Sequence, residues 1–305
     1  MIDSQNQIPV TGRFAPSPTG PLHFGSLVAA LGSYCLARQA GGRWLVRIED
    51  LDAPRVVPGA ADDILRTLEA FGLTWDGPVL YQSRRIERYQ AALERLQHAG
   101  LVFACSCSRK EILASAPHVG EEGPVYPGTC RAGVGPGRRP RSLRIKVPQE
   151  RICFVDGLFG IQVQRLESVV GDFVLRRADG LFAYQLAVVV DDAESGVNQV
   201  VRGADLLAST PRQIYLQACL GYPLPDYIHL PLALAPDGEK ISKRHGGVAV
   251  VAEQSVAGPL WRALRFLGQP VPDCLQGASA VEVLAWGVEN FSLERLPCHS
   301  SVPHD

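Results

Sequence analysis

Residues 13–26 read Arg13-Phe14-Ala15-Pro16-Ser17-Pro18-Thr19-Gly20-Pro21-Leu22-His23-Phe24-Gly25-Ser26. Residues 12–18 have the texture of a short strand running into a Pro/Gly-rich loop. A helix is expected over about 25–40, with Leu27, Val28, Leu31 and Leu36 at near-helical spacing. Gly41-Gly42 ends it, and Trp44-Leu45-Val46-Arg47-Ile48 reads as a buried strand closing on Glu49-Asp50. Strand, helix and strand make a β-α-β unit, the building block of a parallel sheet. The loop entering the helix suits an anion, because free backbone N–H groups and the helix dipole both favour phosphate. His23 adds a donor, and Gly25 lets a nucleotide approach the backbone. A bare H-x-G would be a turn with a surface histidine; the surrounding R-F-A-P-S-P-T-G sets this one apart.

Further along, helices are expected over 60–72 and 83–99. Residues 104–150 are rich in Cys, Gly, Pro and Arg and read as loops and short strands. Residues 156–190 alternate like antiparallel strands, with a turn at Ala178-Asp179-Gly180. A strand over 197–202 returns to the sheet, and a helix over 210–220 carries Pro211 in its first turn. The organisation expected is a Rossmann-type α/β domain formed by 1–100 and 186–245. A mixed α+β insertion over 101–185 interrupts it, and a short helical tail covers 246–305.

Composition narrows the class without naming a partner. The 305 residues are 46% hydrophobic, enough for a sizeable core, and the formal net charge of -1 does not announce a nucleic-acid binder. The first ten residues lack the basic-then-apolar pattern of a signal peptide, and the apolar run 186–190 is too short to span a bilayer. Eight cysteines without dense spacing are expected as reduced thiols in the cytoplasm. A monomer with no membrane contact is expected.

A second chemical stretch, Glu239-Lys240-Ile241-Ser242-Lys243-Arg244-His245-Gly246, follows a Pro-Asp-Gly turn. Two lysines spaced by Ile-Ser can set an ammonium over a polyphosphate as it gathers charge in a transition state. Alone this would be a solvated basic loop; its coexistence with the upstream motif argues otherwise.

Together HFGS and KISKR resemble the two signatures of class I aminoacyl-tRNA synthetases. The fuller stretches RFAPSPTGPLHFGS and LAPDGEKISKRHG resemble the glutamyl and glutaminyl branch. The likeness includes Arg47-Ile48-Glu49-Asp50-Leu51-Asp52, Tyr184-Gln185-Leu186-Ala187 and Val190-Asp191-Asp192. It implies an ATP-dependent ligase acting with Mg²⁺. His23 and Lys243 would be catalytic, and His23, Gly25, Lys240, Ser242 and Lys243 would hold ATP. Arg13, Phe14, Ala15, Pro16, Ser17, Glu49, Tyr184 and Arg202 would hold L-glutamate. In that set Glu49 takes the α-ammonium, while Arg13, Tyr184 and Arg202 meet the two carboxylates, without assignment of which arginine meets which. Ser26 stands where the signature has a second histidine and inherits no such role.

Cys105-Ser106-Cys107 with the distant Cys130 makes a reasonable set for one structural Zn²⁺. Three thiols leave a fourth position. Ligand softness favours His118, whereas the resemblance points to Tyr126 in Tyr126-Pro127-Gly128-Thr129-Cys130. Cys153, in an apolar strand-like context, is expected to be buried. Arg131, Arg138, Arg139, Arg141, Arg144, Lys146 and Arg151, or the group Arg84, Arg85 and Arg88, would suit an RNA backbone as well as plain solvent.

Within the branch, the short length and the Cys-x-Cys resemble members that join glutamate to queuosine in the anticodon of tRNA(Asp). Activation of glutamate without tRNA is expected because the amino-acid set is complete and no anticodon domain is expected to gate it. Residues 245–305 are too few for a separate anticodon-reading domain of roughly 100 residues. Other readings are an abbreviated synthetase charging a tRNA 3′ end, a pantoate-type adenylating ligase, and a non-catalytic tRNA-binding paralogue. Pyrophosphate exchange with glutamate against pantoate separates the ligase, failure of any amino acid to support exchange would point to the paralogue, and mapping labelled glutamate on RNA decides the acceptor.

Overall fold

A computed structural model describes residues 8–120, 123–234, 257–299 and 301–303. In chain order the elements begin β1 (Thr11–Phe14), α1 (Phe24–Gln39), β2 (Arg43–Ile48), α2 (Ala60–Ala70), β3 (Leu80–Tyr81) and α3 (Ile86–His98). Strands β1, β2 and β3 are parallel neighbours, with Arg13 opposite Leu45 and Arg47 opposite Leu80. Helix α1 is buried on nearly every side, from Leu27 through Ala37. That is why its apolar residues exceed a single stripe.

The middle of the chain supplies β4 (Val102–Cys105), α4 (Arg109–Ser115), β5 (Val119–Gly120), β6 (Gly123–Pro124) and β7 (Ser142–Ile145). It continues with β8 (Arg151–Asp156), β9 (Gly160–Arg165), α5 (Leu166–Val169) and β10 (Phe173–Arg176). Strand β7 lies antiparallel between β4 and β10. Strands β8 and β9 form a hairpin whose faces alternate: Phe154 is buried, while Val155, Ile161 and Val163 are exposed. Cys153 pairs across from Val163 and is exposed, not buried as expected, because it shares the outward parity of the pleat.

Next come α6 (Tyr184–Glu194), β11 (Gln199–Gly203), α7 (Thr210–Leu220), β12 (Asp226–Leu230) and β13 (Leu232–Leu234). Helix α6 corrects the expectation of strands through residue 190. Its run Gln185–Asp192 is buried throughout, and a short apolar run buried on all sides looks the same as a core strand in sequence. The expected boundary at residue 185/186 falls inside this helix. Strand β11 is parallel to β12, β12 is parallel to β8, and β11 lies beside β1 through the bond from Asn198 N to Thr11 O, 3.1 Å.

The chain closes with α8 (Ala257–Phe266), α9 (Ala280–Asn290) and β14 (Ser301–Pro303), the last parallel to β13. Both helices join the core built on α1, β1 and β2: Phe24 meets Phe266 edge to face at 5.7 Å, and Leu260, Leu264, Val283 and Leu284 are buried there. A second apolar cluster joins α3, α6 and α7 to β7 and β10. Among the described residues no helix is long and apolar enough to cross a membrane.

Candidate active site

Parallel strands of an open α/β sheet present their C-terminal ends to ligands. Here β1, β2 and β11 end at Phe14, Ile48 and Gly203, and a cleft of about 700 Å³ opens beside them. Its lining includes Arg13, Phe14, Ala15, Pro16, Ser17, His23, Gly25, Glu49, Tyr184 and Arg202. Ten residues singled out in sequence, the farthest 189 positions apart (Arg13 and Arg202), therefore share one cavity. Lys240, Ser242 and Lys243 lie outside the described residues.

His23 is the N-cap of α1. Its Nδ1 accepts from Ser26 N at 3.3 Å, so Nε2 carries the proton and faces Ser26 Oγ at 2.9 Å. Ser26, which inherits no role from the signature, thus contacts both ring nitrogens. Glu49 follows β2, and its N–H donates to Pro16 O at 2.9 Å, tying the first motif to the second strand. Burial pushes the Glu49 carboxyl up from its ordinary value, and the nearby Arg47 and Arg13 offset this only in part. A substrate ammonium beside Glu49 would favour its ionised form. Burial likewise raises the Tyr184 phenol.

The arginines differ in how they are held. Arg13 Nε donates to Asp192 at 3.2 Å and Nη1 to Val201 O at 3.3 Å. Arg47 meets Asp192 at 2.5 Å and Glu49 at 3.2 Å. Burial opposes the Asp192 charge, yet these two guanidinium groups hold its carboxyl below the ordinary value. Asp191 instead gathers Gln82, Arg85 and Tyr89, each within 2.8 Å. Arg202 has a different shell: His229 Nε2 at 3.1 Å, Gln213 Oε1 at 2.8 Å, Thr210 Oγ1 at 2.8 Å and Leu206 O at 3.5 Å. Gln213 in turn donates to Gln185 Oε1 at 2.8 Å, linking this shell to α6. Sequence reasoning assigned nothing to His229, Asp156, Gln213 or the role of Asp192. An acidic pair closing an apolar run was the one available signal, since buried carboxylates call for cations.

A separate cluster sits in the insertion. The sulfurs of Cys105, Cys107 and Cys130 lie within 4.8 Å of one another. Tyr126 Oη is 3.4 Å from Cys105 Sγ and 3.9 Å from Cys107 Sγ, and accepts from Cys130 N at 2.9 Å. Exposed His118 is not a member of the group. Burial opposes the Cys130 thiolate, but hydrogen bonds from Ser106, Tyr126 and Cys107 prevail and bring it to about 6. Burial and its neighbours push Cys107 up to about 11. Three adjacent thiolates need a cation to coexist, and three sulfurs with one phenol oxygen suit a closed tetrahedral Zn²⁺. Gly171 lets the Tyr126 backbone pass close by: it has φ +71, and a Cβ there would stand 2.4 Å from the Tyr126 carbonyl oxygen.

The basic cluster is largely committed to the protein itself. Arg131 donates to Val147 O, Arg138 to Glu111 and Ser106 O, Arg144 to Asp172 O, and Lys146 to Gly100 O. Arg139, Arg141 and Arg151 are exposed. Arg85 and Arg88 face Glu194.

Residues 9–271 match the family described as tRNA synthetases class I (E and Q), catalytic domain. A protein of Dechloromonas aromatica named glutamyl-Q tRNA(Asp) synthetase is 61% identical, over 96% of this chain and 98% of its own. One of the same name from Geobacter sulfurreducens is 55% identical, over 99% and 98%. A solved glutamate tRNA ligase from Elizabethkingia meningosepticum, in complex with its amino acid, superposes with a TM-score of 0.80 at 26% identity. That match covers 98% of this chain and 67% of the ligase.

Proposed function

This chain belongs to the class I tRNA synthetases of the glutamate and glutamine type, and from that membership we infer an ATP-dependent ligase that activates glutamate and passes it to queuosine in tRNA(Asp). The observation that carries the activation step is the single cleft lined by His23, Glu49, Tyr184, Arg13 and Arg202. It offers a carboxylate for an ammonium, cations for carboxylates and a helix N-terminus for phosphate. The names of the near-full-length relatives carry the acceptor.

A glutamate carboxylate oxygen attacks the α-phosphorus of ATP, and pyrophosphate departs. Little covalent work falls to the protein; it aligns the reactants and neutralises charge. Glu49 anchors the ammonium. His23 donates from Nε2, a proton now directed at Ser26, to a phosphate oxygen. Lys243 meets the leaving polyphosphate, and Mg²⁺ supplies further charge neutralisation when bound with ATP. In the second step a hydroxyl of the queuosine base displaces AMP from the glutamyl-adenylate. Cys105, Cys107, Cys130 and Tyr126 would hold Zn²⁺ apart from these steps, where it would staple the loops around a small buried cluster of Cys105, Ile112, Tyr126 and Cys130.

Pyrophosphate exchange with ATP and Mg²⁺ tests the activation step. Glutamate alone should support exchange without tRNA, and strict dependence on added tRNA would reject tRNA-independent activation. In the same assay Lys243→Ala should lower kcat far more than it raises the KM for glutamate.

A further inference from the structure

We propose that His229 and Asp156 are positioning residues that align Arg202 toward a substrate carboxylate while leaving its positive charge uncommitted. The proposal deepens the glutamate reading and rests on it. Its geometry starts from the sheet. Arg202 on β11 and His229 on β12 are directly paired in the parallel register, and Asp156 ends β8, which pairs with β12 at Tyr227. Three adjacent strands therefore deliver one residue each to the end of the sheet that borders the cleft. Gly157 permits the close approach: a Cβ there would lie 2.8 Å from Ile228, and its N–H bonds Tyr227 O at 2.8 Å.

The proton positions follow from donor and acceptor chemistry. A guanidinium has no acceptor, so the 3.1 Å contact from Arg202 Nε requires a lone pair on His229 Nε2. The ring proton must then sit on Nδ1, which faces Asp156 Oδ2 at 2.6 Å. Asp156 Oδ1 accepts from the backbone N–H groups of Leu158 and Phe159 at 3.0 and 2.9 Å, as suits an ionised carboxylate. His229 and Asp156 side chains are fully buried, so no solvent competes for these bonds. One tautomer of one neutral imidazole is thereby selected.

The consequence is electrostatic. Arg13 and Arg47 each touch Asp192 directly, and their charge is met inside the protein. Arg202 touches an imidazole, an amide, a hydroxyl and a carbonyl, none of them charged. Among the described residues it has no ion pair; its hydrogen-bonded link to an anion runs through the ring of His229 to Asp156. Oriented by neutral partners and countered from one residue away, its charge is left for a carboxylate in the cleft. A carboxylate placed directly at His229 would have aligned Arg202 equally well but also neutralised it.

The test uses the full chain and two independent readouts. Nitrogen-15 NMR of histidine-labelled wild type, with His229→Gln to assign the signal, should show His229 protonated on Nδ1 and bare on Nε2 at neutral pH. In glutamate-dependent exchange, His229→Leu and Asp156→Asn should each raise the KM for glutamate about ten-fold. Their KM for ATP and kcat should move less than about three-fold. His229→Gln, whose amide oxygen can reach the Nε2 position, should recover most of the loss. An Nε2-protonated or doubly protonated His229 overturns the proposal, as do equal rises in both KM values or a Gln variant no better than Leu. If wild type exchanges with no glutamate at all, the underlying reading fails. The tautomer measurement still decides the relay in that case, and also if the Leu variant does not fold.

Discussion

The ammonium-binding role proposed for Glu49 would come at the expense of the fold. Burial raises its carboxyl above the ordinary glutamate value despite Arg47 and Arg13. A carboxyl raised in the folded state contributes stability only below its unfolded pKa, and that contribution is lost as pH rises through the folded value. At neutral pH Glu49 is therefore a burden on stability. We expect Glu49→Gln to keep or raise the Tm at pH 7, read by thermal unfolding. The same variant should raise the KM for glutamate roughly ten- to a hundred-fold, because the ammonium loses its charged partner. Protonation imposes the same loss on the wild type. Its kcat/KM for glutamate should fall on acidification from a pH above the usual glutamate range, and the Gln variant should lack that limb. A Tm that drops in Glu49→Gln, or a pH profile shared by both proteins, would contradict this account.

Elements were legible in the sequence where their signal is local. The strand, loop and helix around Arg13–Phe24 announced themselves because the Pro/Gly loop, the apolar spacing and Gly41-Gly42 all lie within one short window. Helix α6 did not, since Leu186–Val190 is buried on every side and gives no helical stripe. Cleft residues carrying motifs were readable, whereas the shell of Arg202 was not: His229 lies 27 positions from Arg202 and 73 from Asp156. Only the pairing of β8, β12 and β11 makes those three neighbours. The insertion shows the same division, with Cys-x-Cys visible and Gly171 silent until its backbone is seen against Tyr126. Gly171→Ala would force a left-handed conformation at a strain of about 1–3 kcal/mol and drive a methyl into Tyr126 O. We expect metal analysis to find about one zinc per chain in wild type and His118→Ala. Gly171→Ala and Cys105→Ser should fall well short of that. Full zinc in Cys105→Ser, or its loss in His118→Ala, would reject the four-ligand set.

At the scale of the whole molecule, the question is which surface meets RNA. The cleft is framed by β1, β2 and β11, with α8 and α9 packed behind α1 in the same core. A basic insertion alone would suggest that every arginine between 131 and 151 contacts phosphate. The internal bonds of Arg131, Arg138, Arg144 and Lys146 argue that these hold the insertion together instead. Exposed Arg139, Arg141 and Arg151 are left as the members able to release counterions on binding. Binding of tRNA(Asp) measured against salt concentration should lose roughly one unit of logarithmic slope for each phosphate contact removed. Arg139→Gln with Arg141→Gln should therefore flatten the slope with little change in Tm, whereas Arg138→Gln should lower the Tm and leave the slope near wild type. The acceptor is tested with the same RNA. If queuosine carries the accepting hydroxyl, labelled glutamate should attach to tRNA(Asp) ending in a deoxyadenosine, and should fail to attach when queuosine is absent. Periodate is the poorer control, because the diol of queuosine reacts along with the 3′ end. Equal labelling of queuosine-free tRNA would place the transfer at the 3′ end and leave only the activation step of the proposed reaction standing.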